Sequence, residues 1–233
     1  ENNECNSILV RSIDSGSTFT FVWSSSITTK NNLTQSPVCI FPMVTGCDCY
    51  LYYTTQYRSS SLRMAWQDLE SIENIVDWQY LSGYIDAVPS WSSESGSGVG
   101  LFNGYDYVGE VCCHYNNYLS KYVLSFFNHA PFGYERGMYL STSSYLYGPW
   151  SYPKLAFNYD QLYDWYQSEQ ITSKSVKGSQ IASRYEKWSA PYGGYILSQL
   201  NPSGSSKIWA TISLASPQIL FLCEIDIDEV LNN

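Results

Sequence analysis

Glu110 is the side chain whose type and position most favour chemistry. It follows Gly109 at the start of an apolar run, and alternation along a strand puts Glu110, Cys112 and His114 on one face. Hydrolysis of a glycosidic bond needs two carboxyl groups across the scissile bond, one of them protonated. Glu110 is therefore the candidate catalytic group or ligand contact, and its alternative role is a carboxylate paired with an arginine or with turn amides. Asp86, Asp106, Glu135 and Arg136 are expected in loops that reach the same region. Sugar rings offer C–H faces to aromatic rings and hydroxyls to polar groups, so Trp91, Tyr105, Trp150, Tyr192 and Trp188 are candidate ligand contacts. Each of them also suits a core. His114 and His129 titrate near neutral pH in ordinary surroundings, and beside aromatics they read as packed and hydrogen-bonded. The stretch Gly96-Ser97-Gly98-Val99-Gly100 fits neither nucleotide-binding spacing and lacks the lysine, so it reads as a flexible loop. With two histidines and no CxxC pair, no metal or other cofactor is expected.

The elements that must hold these residues are strands. Apolar and polar residues alternate, β-branched and aromatic types are enriched, and no long segment has a clean helical period. Strands are expected at Ser7 to Ser12, Thr18 to Trp23, Cys49 to Tyr57, Leu62 to Asp68, Val108 to Tyr115, Tyr122 to Asn128, Gly137 to Thr142, Gly194 to Gln199, Lys207 to Ser213 and Ile219 to Ile225. Turn formers separate most of them. They fall into sets over Cys49 to Tyr80, Tyr105 to Phe157 and Tyr192 to Asp228, with a partial set over Cys5 to Val44, a grouping that matches propeller blades of about 40 to 50 residues. The run from Trp91 to Gly98 is expected as a loop between sets, and a short helix near Tyr163 to Glu169. A single all-β domain accommodates 233 residues.

Composition narrows the setting. Charged residues make up 14% while Tyr numbers 22 and Trp 8, so solubility rests on hydroxyl and amide groups, as on an extracellular surface. A net charge of −9 repels a phosphate backbone, whose binding depends on Lys and Arg replacing counterions. Nucleic acid is an unsuitable partner. No apolar run approaches the roughly 20 residues of a membrane span. Seven cysteines and the acceptor sequon Asn32-Leu33-Thr34 favour secretion. Cys47 and Cys49 lie two apart, about 7 Å in a strand, too far for an easy mutual bond. Adjacent Cys112 and Cys113 should face opposite ways, and the odd count leaves one thiol free or paired with another chain.

Ser12-Ile13-Asp14-Ser15-Gly16-Ser17-Thr18-Phe19 fits the Asp-box pattern Ser-x-Asp-x-Gly-x-Thr-aromatic, a hairpin in which polar side chains satisfy turn amides, Gly16 supplies a positive φ and Phe19 packs between strands. Three further stretches accompany it: Val108-Gly109-Glu110 with Tyr115 to Tyr122, then Ser143 to Pro153 with its Gly148-Pro149-Trp150-Ser151, then Tyr192-Gly193-Gly194-Tyr195-Ile196 leading into Ile208 to Ser213. In order and spacing they resemble the sialidase-like, five-bladed β-propellers long catalogued as a domain of unknown function, which include arabinan-cleaving glycoside hydrolases. The resemblance implies a five-bladed propeller of four-stranded blades, of which this chain supplies the last three to four. The first blade and its early acidic residues, the catalytic acids by resemblance, have no counterpart here. Ala215-Ser216-Pro217-Gln218 also departs from the more aromatic stretch expected there. A propeller lacking a blade exposes sheet edges, so a companion polypeptide, separate or disulfide-linked, is expected to complete it. The functional expectation is a secreted propeller that hydrolyses or binds an extracellular polysaccharide, and the alternative is a non-catalytic lectin or coat protein using the same face.

Overall fold

Leu62-Arg-Met-Ala-Trp-Gln-Asp68 shows why the chain forms strands: residues 62 and 64 are buried apolar, 63 is polar, and Ser60 and Ser61 break the run before it. The computed structural model describes residues 8–24, 36–42, 48–55, 58–71, 74, 77–130, 136–159, 161, 192–201, 204–215 and 218–232. Among them the protein is all-β, apart from short 3₁₀ turns and one helix, α1 (Ile227–Asn232). No described helix is long and apolar enough to cross a membrane. By its internal contacts the chain divides into two compact units, Glu1–Gly109 with Ser143–Ser151, and Glu110–Thr142 with Tyr152–Asn233.

In the first unit β1 (Ile8–Arg11) and β2 (Thr20–Ser24) form a hairpin. A five-stranded antiparallel sheet follows in chain order, from β3 (Ser36–Pro42), β4 (Asp48–Thr54), β5 (Leu62–Asp68) and β6 (Gln79–Ile85) to β7 (Val88–Ser92). Register fixes which side chains share a face. Tyr50 pairs with Trp66, Trp66 with Gln79, and Leu81, two residues on, pairs with Trp91. The opposite face carries Cys49, Tyr53, Ala65, Trp78 and Tyr80, which form one buried cluster with Val22 against it. Tyr53 and Tyr80 meet edge to face at 5.9 Å.

The second unit holds two sheets, again with consecutive strands as neighbours. One is β8 (Val108–Asn116), β9 (Lys121–Asn128), β10 (Gly137–Ser143) and β11 (Lys154–Asn158), and the other is β12 (Tyr192–Ile196), β13 (Lys207–Ala215) and β14 (Gln218–Asp226). Val123, Phe127, Met138 and Leu140 of the first join Ile208, Ala210, Ile212, Phe221 and Ile225 of the second in one core. Burying each such aliphatic or aromatic side chain contributes about 1.5–3 kcal/mol. Gly194, at φ +66°, lets β12 approach β9 so closely that a Cβ would stand 2.6 Å from the Phe127 ring. The Ser125 hydroxyl donates to the Gly194 carbonyl at 3.0 Å.

The expected strands are present, with ends shifted by a residue or more except at β5. Four others were not anticipated: β3, β6, β7 and β11. The stretch read as a loop from Trp91 begins inside β7, so Trp91 is a strand residue pairing with Leu81. The helix expected at 163–169 lies outside the described residues, as do Asn32, Glu135 and Trp188.

Candidate functional site

The Asp-box hairpin is held by its own polar side chains. The Ser12 hydroxyl accepts from the Gly16 amide at 2.8 Å and donates to Asp14 Oδ1 at 2.8 Å. Asp14 accepts from the Thr18 amide at 2.8 Å and from the Thr18 hydroxyl at 2.7 Å. These bonds to the charged form, led by the Thr18 hydroxyl, pull the Asp14 pKa down to about 2. Ser15 and Gly16 take positive φ. Phe19 departs from expectation: it is 65% exposed rather than packed between strands, so the hairpin owes its form to hydrogen bonds.

Glu110 begins the inward face of β8 within the second unit and is 8% exposed. Its Oε2 lies 2.8 Å from His129 Nε2, and His129 Nδ1 lies 2.7 Å from the Tyr159 hydroxyl. The assignment that satisfies both contacts has the phenol donating to Nδ1 and the imidazole donating from Nε2 to the carboxylate. Arg136 places its guanidinium carbon 5.1 Å from the centre of the Tyr159 ring, a cation–π arrangement. Such a chain can pass a proton between phenol and carboxylate. It also pins the end of β9 to the end of β11, and its burial leaves little of the Glu110 carboxyl to meet a polysaccharide.

His114, on the same face of β8, is buried, and among the described residues neither ring nitrogen has a partner of good hydrogen-bond geometry. Burial pulls its pKa down to about 4, since a charged imidazolium would lose its water there. The nearby Val123 carbonyl opposes that shift without reversing it. Cys112 sits against the core beside these residues, and Cys113 beside Tyr122 on the other side of the strand. Cys49, Cys112 and Cys223 are thiols, in no disulfide, while the side chains of Cys5, Cys39 and Cys47 lie outside the description. Among the described residues no group of three or more His, Cys, Asp or Glu is placed to hold a metal ion.

The first unit presents a different kind of site. On one face of its sheet Tyr50 is flanked by Trp91 at 6.2 Å between ring centroids and by Tyr147 at 6.2 Å, and Trp91 reaches Trp66 at 6.4 Å. Tyr147 stacks in parallel on Tyr145, at 5.1 Å and 3°. Tyr50 is buried, Trp66, Trp91 and Tyr147 are half-buried, and Tyr145 is 55% exposed. The remainder of this face, with Tyr52, Leu62, Met64 and Leu81, is buried. Part of its cover is the turn Ser143–Ser151, from which Trp150 meets Tyr52 edge to face at 6.4 Å. The Tyr52 hydroxyl donates to the Leu146 carbonyl at 2.8 Å and the Tyr84 hydroxyl to the Tyr147 carbonyl at 2.5 Å.

The expected site residues thus separate. Trp91 belongs to the aromatic strip, and Trp150 meets Tyr52 edge to face. Tyr105 is buried edge to face with Phe102 at 6.3 Å, and Asp106 is exposed in the loop before β8. Asp86 occupies the β6–β7 turn with φ 49°. In the second unit Glu110 and Arg136 converge on His129 and Tyr159, His114 lies further along β8, and Tyr192 opens β12 opposite Ser213. Sequence reasoning missed Tyr50, Trp66, Tyr145 and Tyr147 as one surface, and Tyr159 as a partner of His129. The signal for the first two was present, because alternation puts Tyr50 and Tyr52 on one side of β4 and a hairpin sets Trp66 opposite. No protein-family model matches the chain, and no curated protein matches it in sequence.

Proposed function

We propose that the chain is a secreted glycan-binding protein of β-propeller type that holds its ligand on the strip of Tyr145, Tyr147, Tyr50, Trp91 and Trp66. The strip carries this reading. Five neighbouring rings, three from one sheet face and two from the turn beside it, form a platform that matches the C–H faces of sugar rings, and its phenol and indole groups suit sugar hydroxyls. Support for the propeller comes from sheets that are meanders of consecutive strands, as blades are, and from the hydrogen-bonded Asp-box hairpin. Support for an extracellular setting comes from 14% charged residues and the sequon at Asn32. Glycan-array screening of natively purified protein tests the function. Retention of a glycan by the native protein and its loss in Trp91→Ala are expected, and retention unchanged by that substitution sinks the reading.

Glycoside hydrolysis is the second reading, favoured by the coupling of Glu110 to an imidazole and a phenol. Release of sugars from arabinan, galactan or sialosides that Glu110→Gln abolishes would replace binding by turnover. A companion polypeptide belongs to both readings. Among the described strands β14 pairs with β13 alone, and its Leu220 and Leu222 are 67% and 53% exposed. Reducing and non-reducing electrophoresis with a solution mass measurement is expected to detect that companion, and a lone 26.5 kDa monomer under all conditions removes it.

A further inference from the structure

We infer that the strip takes a neutral oligosaccharide, that the parallel Tyr145–Tyr147 pair is its outer subsite, and that Tyr84 is the residue that positions this pair. This rests on the strip being the glycan site.

Charge selects the ligand class. The described cations of the first unit are Arg11 in β1, Arg58 in the turn after β4, and Arg63. Arg63 pairs with Tyr53 and so lies on the face opposite the strip. On the strip's own face Asp68 follows Trp66 by two residues along β5. A uronic or sialic acid would meet the Asp68 carboxylate there while Arg63 stands on the far face, an arrangement that costs free energy and discriminates against it. An uncharged sugar chain stacks without that cost.

The outer pair stands on a turn, where no strand ladder fixes its rings. Among the described residues four bonds hold it: Tyr52 hydroxyl to the Leu146 carbonyl, Tyr84 hydroxyl to the Tyr147 carbonyl, the Gly148 amide to the Tyr145 carbonyl at 3.1 Å, and the Tyr145 amide to the Ser143 hydroxyl at 3.1 Å. Gly148 has φ +90°, and a Cβ there would stand 2.5 Å from the Tyr84 hydroxyl. The turn and the phenol therefore meet at a distance only glycine permits. Burial pushes the Tyr84 pKa up to about 12, so the phenol remains a donor at any physiological pH. Tyr147 is thereby held beside Tyr50, and Tyr145 extends the platform into solvent.

Titration calorimetry with arabino-, galacto- and cello-hexasaccharides, the matching disaccharides and a hexagalacturonate tests this on the wild type, Trp91→Ala, Tyr145→Ala and Tyr84→Phe. A neutral hexasaccharide should bind and the hexagalacturonate should not. Tyr145→Ala and Tyr84→Phe should each weaken the hexasaccharide about tenfold, the worth of one stacked ring, and weaken the disaccharide far less, with the circular dichroism spectrum unchanged. Trp91→Ala should weaken both lengths. Equal or tighter binding of the hexagalacturonate overturns the ligand class. An equal loss for both lengths in Tyr84→Phe makes its effect general and overturns the positioning role. Unchanged hexasaccharide binding in Tyr145→Ala, with loss in Trp91→Ala, overturns the outer subsite but leaves the strip as the glycan site. No binding of any of these sugars by the wild type removes the site itself.

Discussion

Lowering the pH from 7 to 4 forces the second unit to accommodate a proton on His114, which it buries with no well-formed hydrogen bond to either nitrogen among the described residues. In the unfolded chain that imidazole titrates near its ordinary 6.5, whereas in the fold burial holds it at about 4. Between these values the unfolded state binds the proton and the folded state does not. Stability therefore falls as the pH drops through this window, is fully retained above about 6.5, and loses no more to this group below about 4. A tenfold change in proton affinity is about 1.4 kcal/mol, so the full loss is about 3 kcal/mol. His114→Leu removes the titration, and because it also removes unsatisfied buried nitrogens it should be neutral or stabilising at pH 7. Hydrogen exchange of β8 and β9 peptides, read by mass spectrometry at pH 7 and pH 4 after correction for intrinsic exchange, measures the opening free energy locally. Acid effects elsewhere in the unit are shared by both proteins, so the difference between them isolates His114. If wild type and variant lose protection by the same amount on acidification, the reasoning is wrong.

Removing the Asp14 carboxylate takes away both acceptors of Thr18, so Asp14→Ala should speed proteolytic cleavage within residues 12–18, with the remainder of the chain still protected. Since the folded pKa of Asp14 is depressed to about 2, its contribution is present above the ordinary 3.8 and fades as the pH falls toward 2, which proteolysis by an acid-active protease at graded pH will register. Gly194→Ala puts a methyl group against Phe127 at positive φ and should cost about 1–3 kcal/mol, seen as a lower Tm by calorimetry. His129→Ala breaks the buried contact with Glu110 and should destabilise the second unit by about 3 kcal/mol, measured by urea unfolding. The double variant Glu110→Gln, His129→Ala should recover part of that loss.

Much of the strand pattern was legible because it is a local property. Leu62-Arg63-Met64 alternates cleanly, and β5 has the expected limits. β6 and β7 were hidden for two reasons. A bulge between Leu81 and Gly83 shifts the register and breaks the period of two. Their turn is also made by Asp86 and Ala87 at positive φ, where no glycine announces it. β3 begins at Ser36-Pro37 and ends at Pro42, residues that read as breakers, and β11 follows Pro153. The buried relay was illegible for another reason: His129 meets partners 19 and 30 residues away in sequence, and no local pattern encodes such a meeting. The aromatic strip lies between these cases. Tyr50 and Trp66 follow from one hairpin register, but Tyr145 and Tyr147 join them from a turn more than fifty residues after Trp91.

Cys49 lies at the centre of the first unit's core with no exposed surface, and burial raises its thiol pKa to about 11. At neutral pH almost none of it is thiolate, the form that attacks oxidants and alkylating agents. An oxidising compartment thus leaves it untouched while the unit is folded, and its alkylation by a neutral reagent proceeds only as fast as the sheet opens.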